Sequence, residues 1–171
     1  TALLAATVAF AALLEPQFAA AQYPTRPLRV LVADAAGSAP DTITRVVGER
    51  LGPLLGQAIV VENRTGSNGN IAMETAAKSA PDGYTLVFCA DSMIVINPHT
   101  YTKMGFDTLK DLAPVSALAA QPNFLLSVHP SVPVKNFQEF IEYAKKANPP
   151  LNYASGGNGS QHQMAMEMLK L

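Results

Sequence analysis

The chain has 171 residues, of which 15% are charged and 49% hydrophobic, and a formal net charge of −1 at pH 7. That length accommodates one α/β domain or a lobe and a half of a two-lobed protein, and the apolar content excludes a disordered tail. The near-neutral charge with scattered basic residues leaves no footprint for nucleic acid, and the absence of Trp removes an aromatic platform for stacking sugars.

Ala2 to Leu14 is an unbroken run of Ala, Leu, Val, Thr and Phe, the size of a signal-peptide hydrophobic region. Ala19-Ala20-Ala21 supplies the small-x-small pattern for cleavage before Gln22, so residues 1–21 are expected to be part of a cleavable export signal. Glu15 and Pro16 end the run short of the roughly 20 apolar residues of a spanning helix. No basic region or initiator Met precedes it, and the chain is expected to start inside the signal.

Pro27 to Ala33 is a short apolar run suited to a strand buried on both faces. The loop Asp34 to Pro40 leads to a helix from about Asp41 to Leu55, with Ile43, Val46, Val47, Leu51, Leu54 and Leu55 on one stripe. Gly56 is placed to end it in the left-handed conformation, and Asp41 is read as the helix N-cap rather than as a ligand contact. Ala58 to Glu62 predicts the second strand and Ile71 to Ser79 the second helix. Pro81-Asp82-Gly83 is a turn, because Pro fixes φ and Gly takes the positive φ. Tyr84 to Ala90 is the third strand, with Cys89 read as a small core residue. As the single cysteine, it allows no internal disulfide. Strand, helix, strand, helix, strand implies a mostly parallel, doubly wound sheet.

Beyond Asp91 the pattern loosens. Asn97 to Tyr101 reads as a short helix or turn, and Phe106 to Leu112 as irregular. Ala113–Ala120 and Asn123–Val128 read as one bent strand or two, split by Gln121-Pro122. A helix follows from about Asn136 to Lys146, then a strand from Leu151 to Ala154. A last helix begins near Asn158, with Met164, Met168 and Leu171 four and three apart. No closing Gly or Pro follows it, so a truncation is expected at this end too.

The strongest chemical signal is the passage from Leu151 through Ser155-Gly156-Gly157-Asn158-Gly159-Ser160 to His162, with three glycines in four residues. Glycines allow backbone N–H groups to approach a ligand closely, and a helix N-terminus carries about half a positive charge, which together favour an anion. Ser155 and Ser160 add hydroxyl donors, and His162 in the first turn can donate a hydrogen bond. The plain tight turn remains the alternative reading. A nucleotide is disfavoured because His162 stands at the third glycine of G-x-G-x-x-G, and neither a Walker A loop nor a G-x-S-x-G elbow is present. His99, His129 and His162 lack any metal-type spacing, so no metal site is assigned. The loop Asp34 to Asp41 is the second candidate, since ligands of open α/β sheets bind outside the carboxyl ends of the strands.

A wider set of motifs is recognisable. It comprises Tyr23-Pro24-x-x-Pro27-Leu28-Arg29-Val30, then Val60-Val61-Glu62-Asn63-Arg64-x-Gly66-x-x-Gly69-Asn70-Ile71 and Ala80-Pro81-Asp82-Gly83-Tyr84-Thr85-Leu86. Ile96-Asn97-Pro98, Val128-His129-Pro130-Ser131 and Leu151-Asn152-Tyr153-Ala154-Ser155-x-Gly157-Asn158-Gly159-Ser160 complete it. Together, from Tyr23 to Leu171, they closely resemble the tripartite tricarboxylate transporter solute receptors, also called the Bug family.

The resemblance implies a periplasmic two-lobed α/β binding protein of type II, about twice this length, with lobe one at 22–121 and an incomplete lobe two at 122–171. The lobes would hinge near Gln121-Pro122. It further implies a small carboxylate or amino-acid-like solute, delivery to membrane permease subunits, a monomeric receptor, no cofactor and no catalytic residue. The ligand-binding candidates are Asp34, Gly37, Ser38, Ser92, Ser155, Gly157, Asn158, Gly159, Ser160 and His162. A sensor for a signalling partner and an enzyme on the same scaffold are the alternatives.

One departure bears on the ligand. The family usually has a Pro-Phe-Pro-Pro-Gly-Gly-like first loop, whereas this chain has Ala33-Asp34-Ala35-Ala36-Gly37-Ser38, retaining only Gly37. If Asp34 faces the cleft, a ligand carboxylate about 5 Å away is repelled by roughly 3 kcal/mol at an effective dielectric near 20, more than a hundredfold in affinity. The expected ligand is then a monocarboxylate, or a carboxylate with an amine or amide at its lobe-one end. With Asp34 turned to solvent, that restriction lapses.

Overall fold

The computed structural model describes residues 23–120 and 124–171. The expected export signal at 1–21 and the expected hinge at Gln121-Pro122 lie outside the described residues.

A three-stranded parallel sheet organises the first part of the chain. Its order is β2-β1-β3, with β1 Leu28–Val32 in the middle, β2 Ile59–Asn63 on one side and β3 Thr85–Phe88 on the other. The register pairs Leu28 with Ile59 and Arg29 with Thr85. Side chains alternate across a strand, so Leu28, Val30 and Val32 share one face with Ile59 and Val61. Arg29 and Leu31 share the other with Val60, Glu62 and Val87. Apart from Arg29, which pairs with Glu62, the central strand is apolar on both faces, as a parallel sheet covered on both sides requires. Leu31 and Val32 are fully buried.

Two helices make the crossovers. Helix α1, Ala39–Leu55, joins β1 to β2 and ends at Gly56 with φ +67. Helix α2, Asn70–Ala77, follows a 3-10 turn at Ser67–Gly69 and joins β2 to β3. Ala72 and Met73 of α2 pack with Leu31, Ala33 and Met93 to form the core, and Val87, Cys89 and Phe106 close around it. Burial raises the Cys89 thiol above its ordinary pKa, and the nearby Asp91 carboxylate adds to that.

The expected apolar stripe of α1 is not its buried face. Thr44 and Gly48 are buried, while Val46, Leu51 and Leu54 are exposed. A Cβ at Gly48 would lie 3.1 Å from the Ile59 Cγ2. The helix therefore rests on β2 through its small residues, with Ile43, Val47 and Leu55 half-buried and Val46, Leu51 and Leu54 turned outward.

Ion pairs and aromatic contacts finish this sheet body. Glu62 accepts from Arg29 Nε at 2.7 Å and from Arg64 Nε at 2.6 Å, which lowers its carboxyl below the usual range. Tyr23 donates its hydroxyl to the Gly83 carbonyl at 2.6 Å, and Arg26 stacks 4.1 Å over the Tyr84 ring. Gly83 takes φ +79, as the turn chemistry predicts.

After β3 come two short helices, α3 Asp91–Val95 and α4 Asn97–Thr100. The sequence signals show α4 and miss α3. Two more helices follow, α5 Phe137–Lys146, capped by Asn136, and α6 Gln161–Lys170. The strands expected at 113–128 and 151–154 do not form among the described residues. Strands exist only where a neighbour accepts their backbone groups, and none is presented to these stretches. Val115 and Leu125 are consequently exposed.

Candidate functional site

The carboxyl ends of the three parallel strands open at one edge of the sheet, followed by Ala33–Ser38, Arg64–Gly69 and Cys89–Ala90. The first of these loops is internally bonded. Asp34 accepts from the Ala35 N–H at 2.8 Å through its carboxylate, and its carbonyl accepts from Asn63 Nδ2 at 3.1 Å. Gly37 takes φ +80 and donates its N–H to Asp41 Oδ2 at 2.8 Å.

The cap of α1 is Ser38, not Asp41. Ser38 has the extended backbone of an N-cap and its hydroxyl accepts from the Asp41 N–H at 3.4 Å. Asp41 sits three residues in, where a side chain reaches back to the chain entering the helix. It is only 3% exposed. Its carboxylate accepts from Arg45 Nε at 3.0 Å and Asn63 Nδ2 at 2.9 Å, besides Gly37. Arg45 foremost, then the Gly37 N–H and Asn63, lower its pKa from 3.8 to about 2. The head of α1 thus already holds an anion, its own.

The glycine loop before α6 repeats this construction with a neutral side chain. Gly159 takes φ +82 and donates its N–H to Gln163 Oε1 at 2.7 Å. Ser160, 5% exposed, is the N-cap and accepts from the Gln163 N–H at 3.2 Å. The first N–H groups of a helix have no partner within it. At α1 the second of these positions is Pro40, which has no N–H, whereas at α6 both Gln161 and His162 supply one. The α6 head therefore keeps both its positive end and free donors, while that of α1 is neutralised.

The three glycines of the second loop serve different ends. Gly157, at φ +119, has open space where a Cβ would be. Gly156 lies beside the side chains of Ser160 and His162. Gly159 is held against the sheet body: a Cβ there would lie 2.9 Å from Thr100 Oγ1 and 3.3 Å from Asn97 Oδ1. Ser155 Oγ accepts from the Gly157 N–H at 3.4 Å, and the Asn158 carbonyl accepts from the Tyr101 hydroxyl at 3.1 Å. His162 is exposed, with its ring edge-on to Phe124 at 5.7 Å.

The sequence candidates accordingly fall into three groups. Asp34, Gly37 and Ser38 form the loop after β1. Ser92, 4% exposed, sits in the first turn of α3 just beyond β3. Ser155, Gly157, Asn158, Gly159, Ser160 and His162 form the loop and first turn at α6. The last group meets the sheet body near Ser92, because Gln161 Nε2 donates to the Asp91 carboxylate.

Sequence reasoning missed the polar core beneath that contact. Asn97 is fully buried. It donates through Nδ2 to the Asn68 carbonyl at 3.0 Å and Asn70 Oδ1 at 2.8 Å, and accepts from Asn68 Nδ2 at 2.8 Å. The residues were visible as Asn68-Gly69-Asn70 and Ile96-Asn97-Pro98, but only as motifs without a role. Among the described residues no group of three or more His, Cys, Asp or Glu side chains could hold a metal ion.

Comparison with known proteins places this arrangement. Residues 43–171 match the sequence profile described as the tripartite tricarboxylate transporter family receptor. A UPF0065 protein of Bordetella bronchiseptica is 40% identical over 134 residues, 78% of this chain and 40% of that protein. Protein BugT of Bordetella pertussis is 31% identical over 150 residues, 87% of this chain and 46% of that protein. The chain spans about half the length of the curated relatives it matches. Among solved structures, R. palustris Rpa4515 with adipate superposes with a TM-score of 0.79 at 35% identity, covering 86% of this chain and 49% of that one. MatC of Rhodopseudomonas palustris with bound malate gives 0.72 at 28% identity, covering 86% and 50%. The fold is that of periplasmic binding proteins, and the chain belongs to the tripartite tricarboxylate transporter receptor family.

Proposed function

We propose that the full-length protein is a periplasmic receptor that captures a small carboxylate-bearing solute between two lobes and passes it to a membrane permease. In this reading lobe one is 22–121 and lobe two begins at 122. The observation that carries it is the α6 head, where a neutral Gln163 takes the place that Asp41 fills at α1. A ligand carboxylate accepts there from the Gln161 and His162 N–H groups and from the hydroxyls of Ser155 and Ser160. Asn158 and Gly157 shape the loop around it. Charge-assisted hydrogen bonds contribute roughly 1.5–3 kcal/mol each, and two or three of them with a helix terminus reach micromolar affinity.

Asp34, Gly37, Ser38 and Ser92 line the opposite side of the cleft in this reading. Asp34 gives that side a negative charge, Asp41 being already paired with Arg45, so the far end of the solute is uncharged or carries an amine or amide. The adipate and malate bound by the two structural neighbours support a small-carboxylate class, and they are also the dicarboxylates against which this refinement is tested.

A thermal-shift and calorimetric screen of the full-length mature protein against mono-, di- and tricarboxylates and amino acids decides the matter. At a hundredfold excess over Kd, binding stabilises the fold by about 2.7 kcal/mol. A shift with monocarboxylates or amino acids is expected. Best binding by a free dicarboxylate overturns the acidic-side refinement, and no shift with any carboxylate overturns the receptor reading.

A further inference from the structure

The glycine loop before α6 is bound to the sheet body at three separate points, none of which needs a solute. The Tyr101 hydroxyl holds the Asn158 carbonyl at 3.1 Å. The Asp91 carboxylate holds Gln161 Nε2. Between them Gly159 packs closely on the α3–α4 pair, where a Cβ would lie 2.9 Å from Thr100 Oγ1 and 3.3 Å from Asn97 Oδ1. The surface that receives the loop is rigid for a stated reason. Asn97 is fully buried and its amide ties α4 to Asn68 and Asn70 across the sheet edge. Asp91 is also fixed, since its Oδ1 accepts from the Ser92 N–H at 2.8 Å.

From this geometry we infer that Tyr101 and Asp91 are positioning residues: they seat Asn158–Gln161 on the α3–α4 pair and thereby aim the free N–H groups of Gln161 and His162. The inference rests on the carboxylate-receptor reading for its effect on binding, but the seat itself forms without a solute. Two residues that touch no solute then set how long a solute stays. Once the loop is seated, the donors at the α6 head are held in place and their ordering has already been paid for before binding. Released from the seat, the same donors must be ordered by the solute, and the complex dissociates sooner.

The test uses the full-length protein and its Tyr101→Phe, Asp91→Ala and Asp91→Asn variants. Tyr101→Phe removes one hydroxyl and leaves the ring. Asp91→Asn keeps an oxygen for Gln161 and for the Ser92 N–H, whereas Asp91→Ala keeps none. Hydrogen exchange of the unliganded protein is read over residues 156–163, with α1 as the internal control for folding. Exchange there is expected to quicken at least threefold in Tyr101→Phe and Asp91→Ala, with α1 unchanged and Asp91→Asn close to the parent. Unchanged exchange in both variants overturns the seat. Dissociation rates are then measured for adipate, malate, glutamate, glutamine and hexanoate, which span the dicarboxylate, amine- or amide-bearing and monocarboxylate classes. A threefold or greater rise for whichever probe binds the parent, with the association rate held, is expected. Faster exchange without a faster dissociation rate overturns the link to the solute. If no probe binds the parent, the carboxylate reading fails, and the exchange result still decides whether the seat exists.

Discussion

Gly159 donates its backbone N–H to the side-chain oxygen of Gln163, the bond that Gly37 makes to Asp41 at the other glycine-serine helix entry. The backbone construction is shared: a glycine near φ +80, a serine N-cap, and a polar side chain three residues further on that reaches back. Only the charge differs. One helix head is closed by a carboxylate and the other by an amide.

That difference yields a direct test. Gln163→Glu places a negative charge in the first turn of α6, which interacts favourably with the helix dipole by roughly 0.3–1 kcal/mol. The same charge opposes a ligand carboxylate a few ångströms away. Carboxylate affinity is expected to fall at least tenfold by calorimetry while the melting temperature holds or rises. A variant that binds as the parent does would place the solute elsewhere.

Asp41 makes stability depend on acid in a known direction. Its folded pKa of about 2 lies below its ordinary 3.8, so its contribution is fully present above about pH 4 and is lost as pH falls toward 2. The melting temperature of Asp41→Asn is expected to lie below the parent's at pH 6. The gap should narrow between pH 4 and pH 2, as the parent loses the same charge.

The glycines are expected to rank by surroundings. Gly159→Ala meets both a positive φ and the Thr100 hydroxyl 2.9 Å away, whereas Gly37→Ala meets the positive φ and open space. Forcing alanine to positive φ costs on the order of 1 kcal/mol or more, and the clash adds to that at Gly159. Urea melts should show Gly159→Ala as the more damaging, together with faster hydrogen exchange in its loop.

Asn97→Ala leaves the buried Asn70 oxygen and the Asn68 groups without their partner. Leaving a buried polar group unsatisfied costs about 1–3 kcal/mol. Denaturant unfolding should register a loss of that size, and Asn97→Asp, which removes both Nδ2 donations, should not recover it.

Cys89 should be slow toward thiol reagents in the folded protein, because burial raises its pKa and limits access. Reaction with a chromogenic disulfide at pH 8 is expected to be at least tenfold faster after unfolding. Equal rates would show that the thiol is not held in the core.

Much of this was legible in the residues. The apolar run at Leu28–Val32, Gly56 at the end of α1 and the Pro81-Asp82-Gly83 turn act through local preference, and each appears where that preference puts it. The buried face of α1 was not legible, because Gly48 and Thr44 carry little hydrophobic signal and matter only once Ile59 lies opposite. The strand readings at 113–128 and 151–154 failed for a related reason: apolar sequence proposes a strand, but a neighbour has to accept it. At the site, the Gly157–Ser160 loop stands out by composition. The capping role of Ser38 was written in the sequence as Ser38-x-x-Asp41 with Pro40 in the first turn, a capping-box pattern that the reading of Asp41 as N-cap passed over. The Asn68–Asn70–Asn97 cluster joins residues 29 apart in the chain, and only the fold shows that they meet.

The order β2-β1-β3 also dictates a sequence of events in folding. Of the three described strands the central one comes first in the chain, and until the others follow it has no partner on either side. β1 pairs only after all of α1 has been added and β2 has arrived, and its second flank stays open until α2 is complete and β3 follows. Parallel pairing of this kind closes long loops before it gains contacts, which slows folding. A chain built this way keeps its central apolar strand exposed longest, so a chaperone that holds it until all three strands are available should raise its yield.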